Sequence, residues 1–378
     1  MGSSSPRRGG RRPRLLILTP DFPPAPGGIQ VVAHRLASGI DDAFETTVVA
    51  PASDGAARFD ADSGVRTRRV RGGGALRGGR NARLNAVALA RGLALRPQVT
   101  LSMHIVTSPA AAAIAGATGA RTVQYFHAEE IGAKPRLAAF AAERASASIA
   151  VSEYTAGLVA ATGARARAVH VIGNGTDIPG DPSPLDDVPP TILTVARIEE
   201  RYKGHDTIVR ALPLVLAKVP DAQWVVIGDG SLRPGLEALA ASYGVTQAIR
   251  FLGAVSDEER NLWLRRARLL AMPSRLPAAG QAGEGFGIVY LEAGAYGKPV
   301  VAGNVGGALD AVRDGETGLL VDPTDPLLVA EAITRLLLGR ELARALGEAG
   351  RSYALAHTWP HVVQRVQGVL LEQLDART

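Results

Sequence analysis

Two glutamates eight residues apart, Glu284 and Glu292, bracket Gly285-Phe286-Gly287 and the opening of an apolar run, Ile288-Val289-Tyr290-Leu291. The order places Glu284 in a glycine loop and Glu292 two turns into a helix, where the pair serves a sugar on one side and a ribose on the other. Carboxylates accept hydrogen bonds from neighbouring hydroxyls, and the amides of a helix N-terminus attract phosphate. Acids in an apolar stretch need partners, because an unpaired buried charge is expensive.

Cations lie upstream. A β-rich run ending at Ala196 leads into Arg197 and, six residues later, Lys203-Gly204. Beyond the carboxyl end of a strand, a guanidinium that grips two oxygens and an ammonium that acts as a point charge can jointly neutralise a diphosphate. Taken singly, either is equally a surface residue; the glutamates downstream tip the balance toward a site. Gly27-Gly28 closes the loop that begins at Thr19, and a helix follows. Glycines there let a ligand approach free amides, although a plain helix-entry turn has the same residues.

Other chemistry-bearing groups lead elsewhere. Gly228-Asp229-Gly230 opens like a dinucleotide fingerprint, but Arg233 stands where the third glycine belongs, which argues against an oxidoreductase. Asp60 and Asp62 form an acid pair in a polar stretch that reads as a loop. His104, His127 and His205 lack metal-ligand spacing. With no cysteine, disulfides and thiolate-held metals are excluded. Trp359, near the start of the last helix, reads as core or as a clasp between domains.

The elements that must position these groups alternate regularly. Leu15–Thr19, Thr46–Ala50, Val99–Ser102, Thr122–Phe126, Ser148–Val151 and Val169–Ile172 read as strands, with helices over 28–40, 81–92, 136–145 and 153–161. After a proline-rich stretch the pattern restarts, with strands at 191–196, 224–227, 249–252, 269–272, 299–302 and 318–321. Helices read at 205–219, 232–243, 257–267 and 288–296 lie between them. The expected organisation is a disordered basic tail over 1–13, a doubly wound domain over 14–180 and a linker over 181–190. A second doubly wound domain over 191–356 and a C-terminal helix over 357–378, crossing back to the first domain, complete it.

Charge is unevenly divided: residues 1–180 hold 22 Arg plus Lys against 12 Asp plus Glu, and residues 181–378 hold 20 against 24. Arg66, Arg68, Arg69, Arg71, Arg77, Arg80 and Arg83 concentrate the excess. They leave open a solvated loop, a phosphorylated acceptor or peripheral contact with an anionic membrane. Nucleic acid is disfavoured, because no aromatics interleave with the arginines and no reader motif is present. The apolar runs at Leu15–Leu18 and near Ala110–Ala120 are too short for a signal or a membrane span. A cytoplasmic protein, with contact at the inner membrane face left open, is expected.

Taken in order, Gly27-Gly28, His127-Ala128-Glu129-Glu130, Val151-Ser152-Glu153-Tyr154-Thr155, Asn174-Gly175-Thr176-Asp177, Arg197 with Lys203-Gly204, and Glu284 with Glu292 resemble glycosyltransferase family 4. The likeness spans nearly all of the chain after Arg14. Ala271-Met272-Pro273-Ser274-Arg275 and Gly285 through Ala293 are similar to actinobacterial phosphatidylinositol mannosyltransferases. The resemblance implies the GT-B architecture, two Rossmann-like domains facing a cleft, and retaining, metal-independent hexosyl transfer from a nucleotide diphosphate sugar of the GDP-mannose, UDP-glucose or UDP-N-acetylglucosamine type. The donor is a co-substrate, and no cofactor or metal is implied. By the same resemblance Arg197 and Lys203 bind the diphosphate, with Gly27 and Gly28 close by, and Glu292 binds the ribose. Glu284 and the amides near Phe286, Gly287 and Ile288 hold the sugar, His127 sits beneath it, and Gly253 through Val255 border the base.

The acceptor is less legible. The stretch Arg71–Arg83 offers charge but little apolar anchor, which favours a polar hydroxylated acceptor over phosphatidylinositol. A nucleotide-sugar epimerase would need an acid/base pair flanking a sugar carbon, and no such pair stands out. A sugar-nucleotide-binding protein without transfer would not need the full set His127, Arg197, Lys203, Glu284 and Glu292.

Overall fold

The computed structural model describes residues 11–40, 42–72, 79–183, 189–277 and 282–375. The first sheet has seven parallel strands: β1 Arg14–Leu18, β2 Glu45–Pro51, β3 Thr67–Val70, β4 Val99–Ser102, β5 Arg121–Phe126, β6 Ala147–Ala150 and β7 Val169–Val171. The second has six: β8 Thr191–Val195, β9 Gln223–Ile227, β10 Ile249–Gly253, β11 Leu269–Met272, β12 Val300–Gly303 and β13 Gly318–Val321. Their orders are β3-β2-β1-β4-β5-β6-β7 and β10-β9-β8-β11-β12-β13. Almost every residue of the central strands is buried, as expected of parallel sheets covered on both faces by helices.

Each order reverses once, between β1 and β4 in the first sheet and between β8 and β11 in the second. Ligands bind doubly wound sheets outside the carboxyl ends of strands at such a switch point. The loops that leave those four strand ends carry Asp21 with Gly27-Gly28, His104, Arg197 with Lys203, and Glu284. Topology alone therefore gathers most of the candidate site.

The last helix, Trp359–Asp375, packs against elements of the first sheet's half of the chain. Val362, Val363, Val366, Val369 and Leu370 are buried on one face, against the Gly28–Gly39 helix, β4 and β5. Five apolar side chains at roughly 1.5–3 kcal/mol each make this a substantial attachment. The crossing is tied at Asn174-Gly175-Thr176-Asp177: Thr176 donates its N–H to His357 (3.0 Å), and Trp359 donates to Thr176 (3.3 Å). Trp359 is buried there, so it is a clasp.

Several expectations need correction. Asp60 and Asp62 lie in a helix, Ala56–Ser63, and Asp60 takes a bidentate pair from Arg69 (3.0 and 2.7 Å). Arg69 is no solvated loop residue; Thr67–Val70 is the edge strand β3, and its guanidinium also reaches the Pro51 carbonyl at 3.0 Å. Glu292 stands one turn into the Ile288–Ala295 helix, since that helix starts only at Ile288. The alanine-rich stretch forms a helix, Ser108–Thr118, which buries Ala111 and Ile114. Two further helices, Pro326–Leu338 and Arg340–Ala356, were not anticipated. Residues 1–10 of the expected tail, Arg77 of the basic stretch and residues 184–188 of the linker lie outside the described residues.

Candidate active site between the two sheets

Two helix N-termini meet across the cleft. The Gly28–Gly39 helix and the Ile288–Ala295 helix are preceded by glycines, Gly27 and Gly287, and neither has a side-chain cap or an acidic residue in its first turn. A Cβ built on Gly28 would lie 3.6 Å from Ile288 Cδ1, so the two ends are in contact distance of each other. Each offers unsatisfied N–H groups and the positive end of its dipole. Two such ends side by side favour a multiply charged anion.

The cations flank this seat in two states. Lys203 Nζ lies 2.6 Å from Glu284 Oε2, and both side chains are largely buried, at 15% and 13% exposure. Burial opposes the ammonium charge, but the Glu284 carboxylate outweighs it and holds Lys203 above the ordinary lysine range. The ammonium also lies 4.9 Å from the centre of the Tyr202 ring. Arg197 Nη2 makes an equally short contact, 2.6 Å, with Glu200 Oε1, yet its side chain is 60% exposed. An exposed pair is worth about 0–1 kcal/mol, so Arg197 exchanges Glu200 for a ligand at little cost.

Arg275 fixes the turn that carries Lys203. Its guanidinium forks onto Asp206, at 2.9 and 3.1 Å, and its backbone N–H donates to the Tyr202 carbonyl at 2.8 Å. Nearby, Gly228 packs so close to Ala196 that an added Cβ would sit 2.1 Å from its carbonyl oxygen. The glycines of the false dinucleotide signature therefore serve backbone packing beneath Arg197.

The loop before the Ile288–Ala295 helix is clamped to the first domain. A Cβ on Gly285 would fall 2.0 Å from the His127 carbonyl oxygen, so only glycine fits. Gly285 O accepts from Ser152 Oγ at 2.6 Å, Gly283 N–H donates to the Tyr154 hydroxyl at 3.2 Å, and Glu153 N–H donates to Asp310 at 2.9 Å. The Val151–Thr155 motif is thus the first domain's grip on the loop of Glu284. Sequence reading gave that motif no role.

His127 is buried, and its Nε2 faces the Met103 carbonyl at 2.8 Å. A carbonyl only accepts, so Nε2 carries the proton and Nδ1 keeps its lone pair. Burial, with His104 adding to it, lowers this imidazole to about 3, which keeps it neutral near pH 7. The backbone strains just after it: Ala128 has φ 106°. Glu130 Oε1 accepts the His127 N–H at 2.7 Å, and burial raises this carboxyl to about 7.

A cavity of ≈ 400 Å³ opens beside these groups, lined by Asp21, Gly27, Gly28, His104, Glu130 and Arg197 among others. Asp21 accepts from Gln30 at 3.3 Å, and burial raises its carboxyl. Of the anticipated residues, Gly27, Gly28 and Arg197 line the cavity. Lys203, Glu284, Phe286, Gly287, Ile288 and His127 are joined to that wall through the contacts above. Glu292, 3.6 Å from Arg260, has its carboxyl raised by burial and lies farther along the helix. Gly253 sits at the end of β10, accepting from Gly228 N–H at 2.8 Å, and Val255 packs half-buried beyond it. Asp21, His104, Glu130 and Gln30 were missed as site residues. The first-strand loop and the His127-Ala128-Glu129-Glu130 motif held two of them, but only the switch point reveals the other two as neighbours. Among the described residues no group of three or more His, Asp or Glu is arranged to hold a metal.

Comparisons with known proteins bear on family and fold. A model of glycosyl transferases group 1 matches residues 181–353, and a model of Glycosyltransferase Family 4 matches residues 26–178. A GDP-mannose-dependent alpha-(1-6)-phosphatidylinositol monomannoside mannosyltransferase of Mycolicibacterium smegmatis is 32% identical, over 96% of this chain and 100% of its own length. A D-inositol 3-phosphate glycosyltransferase of Corynebacterium urealyticum is 35% identical over 44% of this chain and 39% of its own. Among solved structures, Anabaena Alr3699/HepE in complex with UDP-glucose superposes with a TM-score of 0.80 at 21% identity, covering 96% of this chain and 100% of that one. With an end-to-end relative and both halves matched in order, the chain belongs to the GT-B glycosyltransferases, group 1 in its second half and family 4 in its first.

Proposed function

We propose that the protein transfers a hexosyl unit, with retention of configuration and without a metal ion, from a nucleotide diphosphate sugar to a hydroxyl of a polar acceptor. The observation that carries this reading is the pair of uncapped helix N-termini at Gly28 and Ile288, flanked by Arg197 and by Lys203 paired to Glu284. Such a seat stabilises a departing diphosphate with fixed dipoles and cations, which is where charge develops during the reaction. Phosphate charge is then met by protein groups alone, and chelation should leave turnover intact.

Glu284 is committed to Lys203 and is a poor nucleophile, and His127 is neutral and hydrogen-bonded. These assignments favour same-face attack. The acceptor oxygen bonds to the anomeric carbon, the bond from that carbon to the phosphate oxygen breaks, and the acceptor's proton passes to the leaving phosphate. Positioning and electrostatics then supply the rate. Proton NMR of the product decides it: an α-linked product from an α-linked donor is expected, and a β-linked product refutes retention.

The ≈ 400 Å³ cavity, with Asp21, Gln30 and Glu130 on the first-domain side, supports a hydroxyl-rich acceptor, and the M. smegmatis relative supports a GDP-mannose-type donor. That relative's end-to-end identity also favours a second reading, transfer to a phosphatidylinositol mannoside with peripheral contact at an anionic membrane. Transfer assays on water-soluble polyols and on phosphatidylinositol lipids, paired with liposome cosedimentation at low and high salt, separate the two. Salt-resistant membrane binding with transfer to lipid alone overturns the polar-acceptor reading.

A further inference from the structure

Seven cations surround a second cavity, of ≈ 460 Å³, at the amino-terminal edge of β11 and β12. The cleft lies at the carboxyl ends of these same strands, so the cavity is at the opposite edge of the second sheet. Arg265, Arg266 and Arg268 come from the end of the Asp257–Arg266 helix and the turn into β11. Lys298 precedes β12, and Arg340, Arg344 and Arg351 lie along the Arg340–Ala356 helix. Among the described residues, Glu348 is the one carboxylate in the lining.

Some of these charges have structural duties. Arg344 pairs with Glu348 at 2.7 Å, Arg265 pairs with Asp181 at 2.9 Å, and Arg351 and Lys298 donate to helix carbonyls, at 2.6 and 2.8 Å. A carbonyl acceptor does not cancel a full charge, so Arg351 adds to the excess. Arg268 and Arg340 have no ion pair among the described residues, and Arg266 Nε is buried without a hydrogen-bond partner. Arg265, Arg266, Arg268 and Arg351 are half-buried, whereas Arg340 and Arg344 are exposed. Half-buried arginines that share one cavity repel one another and lose hydration, an arrangement an incoming anion relieves. Residues 181–378 as a whole are net acidic, which makes this basic cluster a local feature and not a reflection of composition.

We propose that this cavity is a second anion site, for a ligand carrying two or more phosphate groups, separate from the donor site. Its volume lies within the roughly 300–1,000 Å³ span of small-molecule sites. Guanidinium forks match phosphate oxygens bidentately, and Arg268 and Arg340 carry no ion pair among the described residues. Tyr296, Leu336 and Leu337 add an apolar side, suited to the ring or chain that bears the phosphates.

Inorganic pyrophosphate is the probe, and equilibrium dialysis against the full chain reads the number of sites. Wild type should bind at two sites. Arg268→Ser with Arg340→Ser should weaken one at least about tenfold, while Arg197→Ala weakens the other and leaves the back site unchanged. Arg268→Lys with Arg340→Lys, which keeps the charge, should restore part of the binding and exclude misfolding. Cosedimentation with vesicles of cardiolipin, whose headgroup carries two phosphates, tells a lipid headgroup from a free phosphate compound: loss of vesicle binding in the serine variant assigns the headgroup, and unchanged vesicle behaviour with loss of the pyrophosphate site assigns the free compound. Unaltered binding of both probes by the serine variant overturns the proposal. So does a back site that appears only after Asp186→Asn with Asp187→Asn, for then the linker's own carboxylates are its counter-ions.

Discussion

The two walls of the cleft hold their ionisable groups by opposite means. On the second-domain wall, each cation has a carboxylate at 2.6 Å, Lys203 with Glu284 and Arg197 with Glu200. On the first-domain wall, Asp21, His104, His127 and Glu130 have no ion pair among the described residues, and burial pushes each toward its neutral form. A paired charge stays charged across the pH range of proteins; a buried lone group titrates close to neutrality or not at all. The second-domain wall, proposed to hold the donor, is therefore built for constant charge, and the sensitivity of the site to pH belongs to the first-domain wall, proposed to hold the acceptor.

Removing a member of the buried pair tests the donor wall most severely. Lys203→Ala leaves Glu284 buried and uncompensated, with an expected loss of about 3–5 kcal/mol in folding stability together with activity. Denaturant titration checks this. A double variant that also carries Glu284→Gln should recover part of the stability but no turnover; equal losses in the single and double variants would break the contrast between buried and exposed pairs.

Arg197→Ala should separate catalysis from stability. Its pair with Glu200 is exposed, so folding should change by less than about 1 kcal/mol. Transition-state stabilisation should fall by about 2–4 kcal/mol, because a charge-assisted contact is lost where charge develops. Steady-state kinetics decide the matter, and a drop in kcat/KM below about threefold removes Arg197 from the diphosphate site.

A smaller effect sharpens the description of the acceptor wall. Glu130 is raised by burial from its ordinary 4.5 to about 7, so between these values the folded protein holds a proton that the unfolded chain has released. Stability contributed by this group is therefore lost as pH rises from about 4.5 to 7. Glu130→Gln keeps an oxygen to accept the His127 N–H while removing the titration. Its stability relative to wild type, from thermal melts, should rise across that window and level off above it. His127 and His104, lowered to about 3 and about 4, act in the reverse sense, losing stability as pH falls below the ordinary 6.5. They are present in both proteins and cancel in the comparison. A constant difference from pH 4 to 8 would place Glu130 in contact with water or a cation.

The smallest expected effect is none. Extensive chelation with EDTA should leave kcat unchanged, since the proposed diphosphate seat consists of Arg197, Lys203 and helix amides. Turnover that EDTA abolishes and Mg²⁺ or Mn²⁺ restores would show that the donor wall needs more positive charge than its side chains supply.

Alternation of β-rich and helical runs was enough to give two doubly wound domains, because side-chain periodicity is a local property written along the chain. The restart of alternation at Thr191 was legible on that basis, while Arg197 with Lys203 and Glu284 with Glu292 were singled out by residue type and spacing. Local reading failed where a partner from elsewhere in the chain decides the outcome. Thr67–Val70 has too much arginine to look like a strand until Arg69 finds Asp60 and the Pro51 carbonyl. Val151–Thr155 had no function in the sequence because its partners, Gly283 and Gly285, lie more than a hundred residues away. The basic cavity behind β11 and β12 was invisible, since its arginines are scattered over 265–351 and only the parallel sheet brings their turns together. Sequence settles which residue types exist to do chemistry and in which order. Whether a charge is buried with its counter-charge, as Lys203 is, or left half in water, as Arg197 is, depends on chain segments far apart, and that only the tertiary structure decides.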